Sequence, residues 1–156
     1  MIYENGPYRI DVDVERTRAF YKDAAYYDCT CPGCRNFALA SKPAPEPVKA
    51  FFESFGIDFG KPAEIYASHA CGADTLFYGG FYHICGTILE GRDAWIRTGE
   101  KSYRLDEAYS IGLTEDFSVY FTNDVQLLEE GFPSPVIQLE IFGPLPWVLA
   151  EKNEYQ

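Results

Sequence analysis

Leu76-Phe77-Tyr78-Gly79-Gly80-Phe81-Tyr82-His83-Ile84-Cys85-Gly86-Thr87-Ile88-Leu89 is the stretch on which the fold turns. Aromatic and β-branched residues fill it, and such side chains suit a pleated, half-buried surface. Its period is two. Tyr82, Ile84 and Ile88 share one face, and Phe81, His83 and Cys85 share the other. Gly79-Gly80 reads as a turn or bulge inside it.

Working outward, residues 8–14, 63–69, 117–122 and 137–142 alternate apolar with polar side chains and predict further strands. Residues 93–98 and 101–105 predict a hairpin around Gly99-Glu100. Helical spacing is clearest at Val48, Phe51, Phe52 and Phe55, with Pro47 suited to the first turn and Gly56 to the stop. A helix at about 47–55 follows, its Phe stripe read as core rather than as a docking face. A shorter helix is expected over 33–41, and the prolines of 42–47 make a stiff surface connector. Residues 15–27 fit a helix capped by Asp13 almost as well as continued extension. Asn123-Asp124 reads as a helix cap leading through a short turn to a stop at Gly131. Residues 132–135 and 143–147 read as rigid apolar corners, either able to hold a cis proline. The expectation is one α+β domain over 1–156, a largely antiparallel sheet with two or three short helices.

Composition narrows the function classes. At 156 residues, 47% hydrophobic and 17% aromatic, the chain can bury a sizeable core and is not disordered. Its 13 basic residues face 24 acidic ones, a net charge of −11 with no basic run. Nucleic-acid backbones are held by Lys and Arg displacing counterions, so no nucleic-acid partner is expected. An acidic mimic that occupies a DNA-binding partner's groove is a further alternative. No apolar run approaches the ~18 residues of a membrane span, and the N-terminus lacks a charged and apolar leader. Five cysteines without such a leader point to a reducing cytoplasm rather than a disulfide framework.

Three of the five lie in Cys29-Thr30-Cys31-Pro32-Gly33-Cys34-Arg35-Asn36-Phe37. Pro32 fixes φ and Gly33 tolerates unusual φ/ψ, so a tight turn can converge the sulfurs as tetrahedral zinc requires. Three readings compete: a structural zinc site, reduced structural thiols, and a redox or nucleophilic cysteine, the metal leading. A closed tetrahedron needs a fourth donor, and no second Cys-x-x-Cys is present. The remaining donors are His69, Cys71, His83 and Cys85. His83 is the expected ligand, with Cys85 as substitute, because the expected core takes the Tyr82 and Ile84 face and leaves the His83 face free to meet the knuckle. The metal set is therefore Cys29, Cys31, Cys34 and His83. Cys34 or Cys71 with His69 or His83 would be the pairs for nucleophilic chemistry. Asp74 and Glu140 stand out among the carboxylates, although a turn residue and a solvent-facing strand position account for them. Arg35-Asn36 could meet an anion, though such residues more often brace a loop. No G-x-G-x-x-G, P-loop, G-x-S-x-G or H-E-x-x-H occurs, and no catalytic residue is assigned.

Cys31-Pro32-Gly33-Cys34-Arg35-Asn36-Phe37, residues 55–58, 78–83 and 132–135, and Pro146-Trp147 resemble a family of small uncharacterised bacterial and phage-associated proteins. The likeness runs from Tyr27 onward and carries no activity. It implies that the knuckle and His83 belong to one site. The function expected is a cytoplasmic, non-catalytic, zinc-stabilised domain used for interaction with a protein partner. The alternative is a small zinc- or cysteine-dependent enzyme.

Overall fold

The computed structural model describes residues 1–70, 72 and 74–155. The long aromatic stretch is a single strand, β4 (Thr75–Glu90), and the other strands are placed by it. Gly79-Gly80 is neither turn nor bulge, since β4 pairs without interruption from Thr75↔Pro146 to Cys85↔Val136. Glycine is needed at Gly80, where the neighbour is backbone; at Gly79 the neighbour is the end of a movable side chain. A Cβ on Gly80 would stand 2.4 Å from the Glu64 carbonyl oxygen, and one on Gly79 would stand 2.5 Å from the Tyr66 ring.

The remaining strands are β1 (Ile2–Asn5), β2 (Tyr8–Val12), β3 (Glu64–Ala70), β5 (Trp95–Arg97), β6 (Tyr103–Leu105), β7 (Ile111–Gly112), β8 (Ser118–Thr122) and β9 (Val136–Pro146). Seven of the nine form one antiparallel sheet in the order β1-β2-β4-β9-β8-β7, with β3 also on β4. β5 and β6 make the expected small hairpin. Helices are α1 (Val14–Asp23), α2 (Pro32–Ala40) and α3 (Glu46–Ser54). The structure is thus α+β with a mostly antiparallel sheet, as the alternating patterns require.

Two strands share one edge of β4. β3 takes its first half, ending at Glu64↔Phe81, and β2 takes its last part, beginning at Val12↔Gly86. Between them the backbone of residues 82–85 has no strand neighbour on that side, and α1 fills the gap with hydroxyls. Tyr21 Oη accepts from the His83 amide at 3.0 Å and donates to the His83 carbonyl at 2.9 Å. Thr17 Oγ1 accepts from the Cys85 amide at 3.1 Å, and the Asp13 amide donates to the Cys85 carbonyl at 2.8 Å. The ambiguity of residues 15–27 therefore resolves as helix, with Asp13 as the cap, its carboxylate accepting from the Arg16 amide.

The core lies on the Tyr78–Tyr82–Ile84 face. Phe37 of α2 and Phe52 and Phe55 of α3 meet Tyr78, Tyr82, Phe59 and Phe121 there, ring on ring. The stripe at 48–55 is core, as its spacing suggests.

Two expectations fail at chain ends of strands. Residues 123–131 form no helix; the segment is irregular, with Leu127 at φ 49°, and is tied by the Gln126 amide to Gln138 Oε1 at 2.8 Å. It straps the other sheet face over His83. Residues 143–146 are not a corner but the end of β9. Pro144 and Pro146 are tolerated because β8 pairs only as far as Phe142, so their missing amides face an unpaired edge. The Ser134-Pro135 peptide is cis.

Candidate metal centre

Cys29, Cys31 and Cys34 converge: their Sγ atoms all lie within 4.8 Å of one another, with Cys29 and Cys31 at 3.3 Å. Thiolates on a tetrahedral zinc at about 2.3 Å stand roughly 3.8 Å apart, so the three sulfurs need only small adjustment to hold such an ion. The donor set fits a soft, thiophilic metal.

Local sequence builds this arrangement. Cys31 is the N-cap of α2 and Pro32 its first residue, where the missing amide costs nothing. One turn in, Cys34 is brought back beside Cys31, and the Arg35 amide closes the first helical bond on the Cys31 carbonyl at 3.0 Å. Gly33 is helical rather than left-handed. Its bare Cα makes room for Tyr155, which crosses it: the hydroxyl accepts from the Gly33 amide at 2.9 Å and would lie 2.9 Å from a Cβ. Tyr78 Oη donates to the Gly33 carbonyl at 2.6 Å.

Arg35-Asn36 braces the turn. Asn36 is fully buried; its Nδ2 donates to Tyr78 Oη and to the Pro146 carbonyl, both at 3.0 Å, and its Oδ1 accepts from the Val148 amide. Arg35 pairs with Glu151 at 2.6 Å. The knuckle is thereby tied to β4, to the end of β9 and to the C-terminal segment.

The thiols are unequal. Cys29 and Cys31 are exposed and Cys34 is buried. Burial pushes Cys31 up. Hydrogen bonds from the Cys34 amide, from the Cys29 and Cys34 thiols and from the Tyr155 hydroxyl outweigh it and bring the group down to about 7. Burial, followed by its bonds to Cys29 and Cys31, pushes Cys34 well up. A bound cation would reverse that second shift, because its charge favours thiolate. A cavity of about 290 Å³ opens beside Cys34, lined by Tyr26, Tyr27, Phe37 and Lys42.

The other sequence candidates lie elsewhere. Successive residues of β4 point to opposite faces. Tyr78, on the α2 side, and His83 are therefore on different sides of the sheet. His83 is buried on the outer face, its Nε2 2.9 Å from the Gln126 carbonyl oxygen and its ring against Phe81 and Phe132. It is not brought to the three cysteines. The expectation of His83 as a ligand fails because the helix after the knuckle packs on the Tyr78 and Tyr82 face, opposite His83. Cys85 shares the His83 face, its Sγ 3.8 Å from the Ser134 carbonyl. His69 is exposed and stacks on Phe77 at 4.9 Å. Cys71 lies outside the described residues. Asp74 is exposed, its carbonyl accepting from the Trp147 amide at 2.8 Å. Glu140 is half-buried rather than solvent-facing, and accepts from Tyr120 Oη at 2.6 Å and from Gln138 Nε2 at 3.0 Å. Sequence reasoning missed Tyr155, whose lone position near the chain end gives no pattern to read.

Among the described residues no helix is long and apolar enough to cross a membrane. Comparison with protein-family models, with curated proteins and with solved structures gives no match.

Proposed function

We propose that Cys29, Cys31 and Cys34 bind one zinc ion, and that the chain is a cytoplasmic, non-catalytic domain that this ion stabilises for contact with a protein partner. The convergence of three Sγ atoms within 4.8 Å carries the reading. Three protein thiolates leave a fourth position for water or for a donor from the partner. His83 and Glu140, the groups best suited to acid–base work, are on the far face of the sheet from the thiols, which favours a structural role over a catalytic one. The family resemblance adds the bacterial setting. A nucleic-acid partner is not part of the reading, given the net charge of −11.

Metal analysis of tag-free protein purified without chelator tests it. About one zinc per chain is expected, lost in the Cys31→Ser, Cys34→Ser double variant together with several kcal/mol of stability. Metal-free protein of equal stability would sink the proposal.

One observation favours a second reading. An exposed cysteine capping a helix, one turn from a buried cysteine, is also how dithiol exchange is arranged. Here Cys31 would attack a disulfide, Cys34 would resolve the mixed disulfide, and the substrate would leave as two thiols. Metal-free, reduced protein that reduces a small aromatic disulfide, and stops when Cys31 is alkylated, would select this reading.

A further inference from the structure

The sheet face opposite the helices carries a second grouping that the metal centre does not use. Tyr66 of β3, Glu140 and Phe142 of β9, and Tyr120 of β8 share that face, and Trp95 of β5 reaches it from the hairpin. Tyr66 stands opposite Gly79, whose missing side chain lets the ring lie over the β4 backbone towards β9. The carboxylate of Glu140 is close enough to add to burial in raising the Tyr66 phenol above its ordinary value. Three of these rings are open to solvent: Tyr66 is 50%, Trp95 45% and Phe142 39% exposed.

Polar groups inside the grouping are committed to one another. Trp95 Nε1 donates to Tyr120 Oη at 2.9 Å, Tyr120 Oη donates to Glu140 Oε2 at 2.6 Å, and Gln138 Nε2 donates to Glu140 Oε1 at 3.0 Å. All of these donors are neutral, and among the described residues Glu140 enters no ion pair. What remains to recognise a ligand is an uncompensated negative charge framed by aromatic rings. A sugar or an anion would ask for donors already used. A cation that needs no hydrogen-bond acceptor from the protein, only charge and π faces, matches what is left. The net charge of −11 adds a field that draws cations to the surface.

We propose that this face binds an organic cation of the quaternary alkylammonium class, its charge on Glu140 and its alkyl groups against Tyr66, Phe142 and Trp95. The site lies on the opposite face from the cysteines and is independent of whether they hold a metal.

The test is titration of the wild-type protein with choline chloride, followed by amide and indole NMR shifts. Its neutral isostere 3,3-dimethylbutan-1-ol is titrated in parallel. Choline is expected to saturate with a dissociation constant of about 1 mM or tighter, shifting the Trp95 indole but not that of Trp147. The isostere is expected to bind at least tenfold more weakly. Glu140→Gln should remove the difference between the two ligands, and Tyr66→Ala should weaken choline severalfold. Equal binding of choline and the isostere to the wild type overturns the proposal, as does the absence of saturable shifts at tens of millimolar.

Discussion

Replacing Tyr21 by Phe removes one oxygen atom and tests how the sheet survives the break in its edge. The phenol ring is retained against Phe20 and Phe132, so packing is preserved. What is lost is the hydroxyl that partners two buried backbone groups, the His83 amide and the His83 carbonyl. Tyr21 is 5% exposed, so water cannot simply take the place of the hydroxyl. An orphaned buried polar group costs about 1–3 kcal/mol, so two of them should cost roughly 2–4 kcal/mol after partial relaxation. With a urea m-value near 2 kcal/mol/M, the midpoint should fall by about 1–2 M at unchanged m. Thr17→Val orphans the Cys85 amide and should cost about half as much; the pair should be non-additive, since both serve one gap. Tyr26→Phe, at a ring that is 67% exposed, is the control and should leave the midpoint where it is. A Tyr21→Phe midpoint within a few tenths molar of wild type would refute the reasoning. It would mean that water or a shift of β2 and β3 already satisfies that edge.

The two adjacent glycines of β4 should behave differently. Gly80→Ala drives a Cβ to 2.4 Å from a backbone oxygen and should cost upwards of about 3 kcal/mol in denaturant melts. Gly79→Ala meets the far end of the half-exposed Tyr66 side chain, which can swing away, so a loss under about 1 kcal/mol is expected. Asn36→Asp cannot donate to Tyr78 Oη and the Pro146 carbonyl and should cost about 2–4 kcal/mol, measured by urea midpoint; a neutral result would remove Asn36 as the brace of the knuckle. His83 has its pKa lowered by burial, so the unfolded chain binds its proton first as pH falls. Stability should therefore drop from near pH 6.5 downwards and level off once the folded ring is also protonated; His83→Gln should flatten that part of the wild-type profile. Parallel profiles would rule this out.

The sheet was legible because its faces differ in sequence: Phe117, Val119 and Phe121, like Ile137, Leu139 and Ile141, alternate cleanly with polar neighbours. β4 was harder. Both of its faces are buried, with Tyr82 and Ile84 on one and Phe81, His83 and Cys85 on the other, so period alone could not say which face the helices cover. That is why the three cysteines, linked by local turn geometry, could be grouped from sequence while His83 could not be placed. The glycine pair was misread for a related reason. Its meaning lies in Glu64 and Tyr66, which approach from another strand, and no short-range signal reports that. Residues 123–131 carry good helix punctuation, yet Gln138 and His83 claim the Gln126 backbone. Tertiary bonds outbid local preference there.

Pro144 and Pro146 also bear on how the chain avoids itself. An open strand border is a template on which a second molecule can add its own ladder, the first step of fibre growth. β9 outruns β8 by several residues, and it does so where alternate positions have no amide to offer. Further along the same border, β7 is only two residues long. On this border an incoming strand finds acceptors without donors along β9 and almost no length along β7, so self-templating there is discouraged by the backbone itself rather than by surface charge.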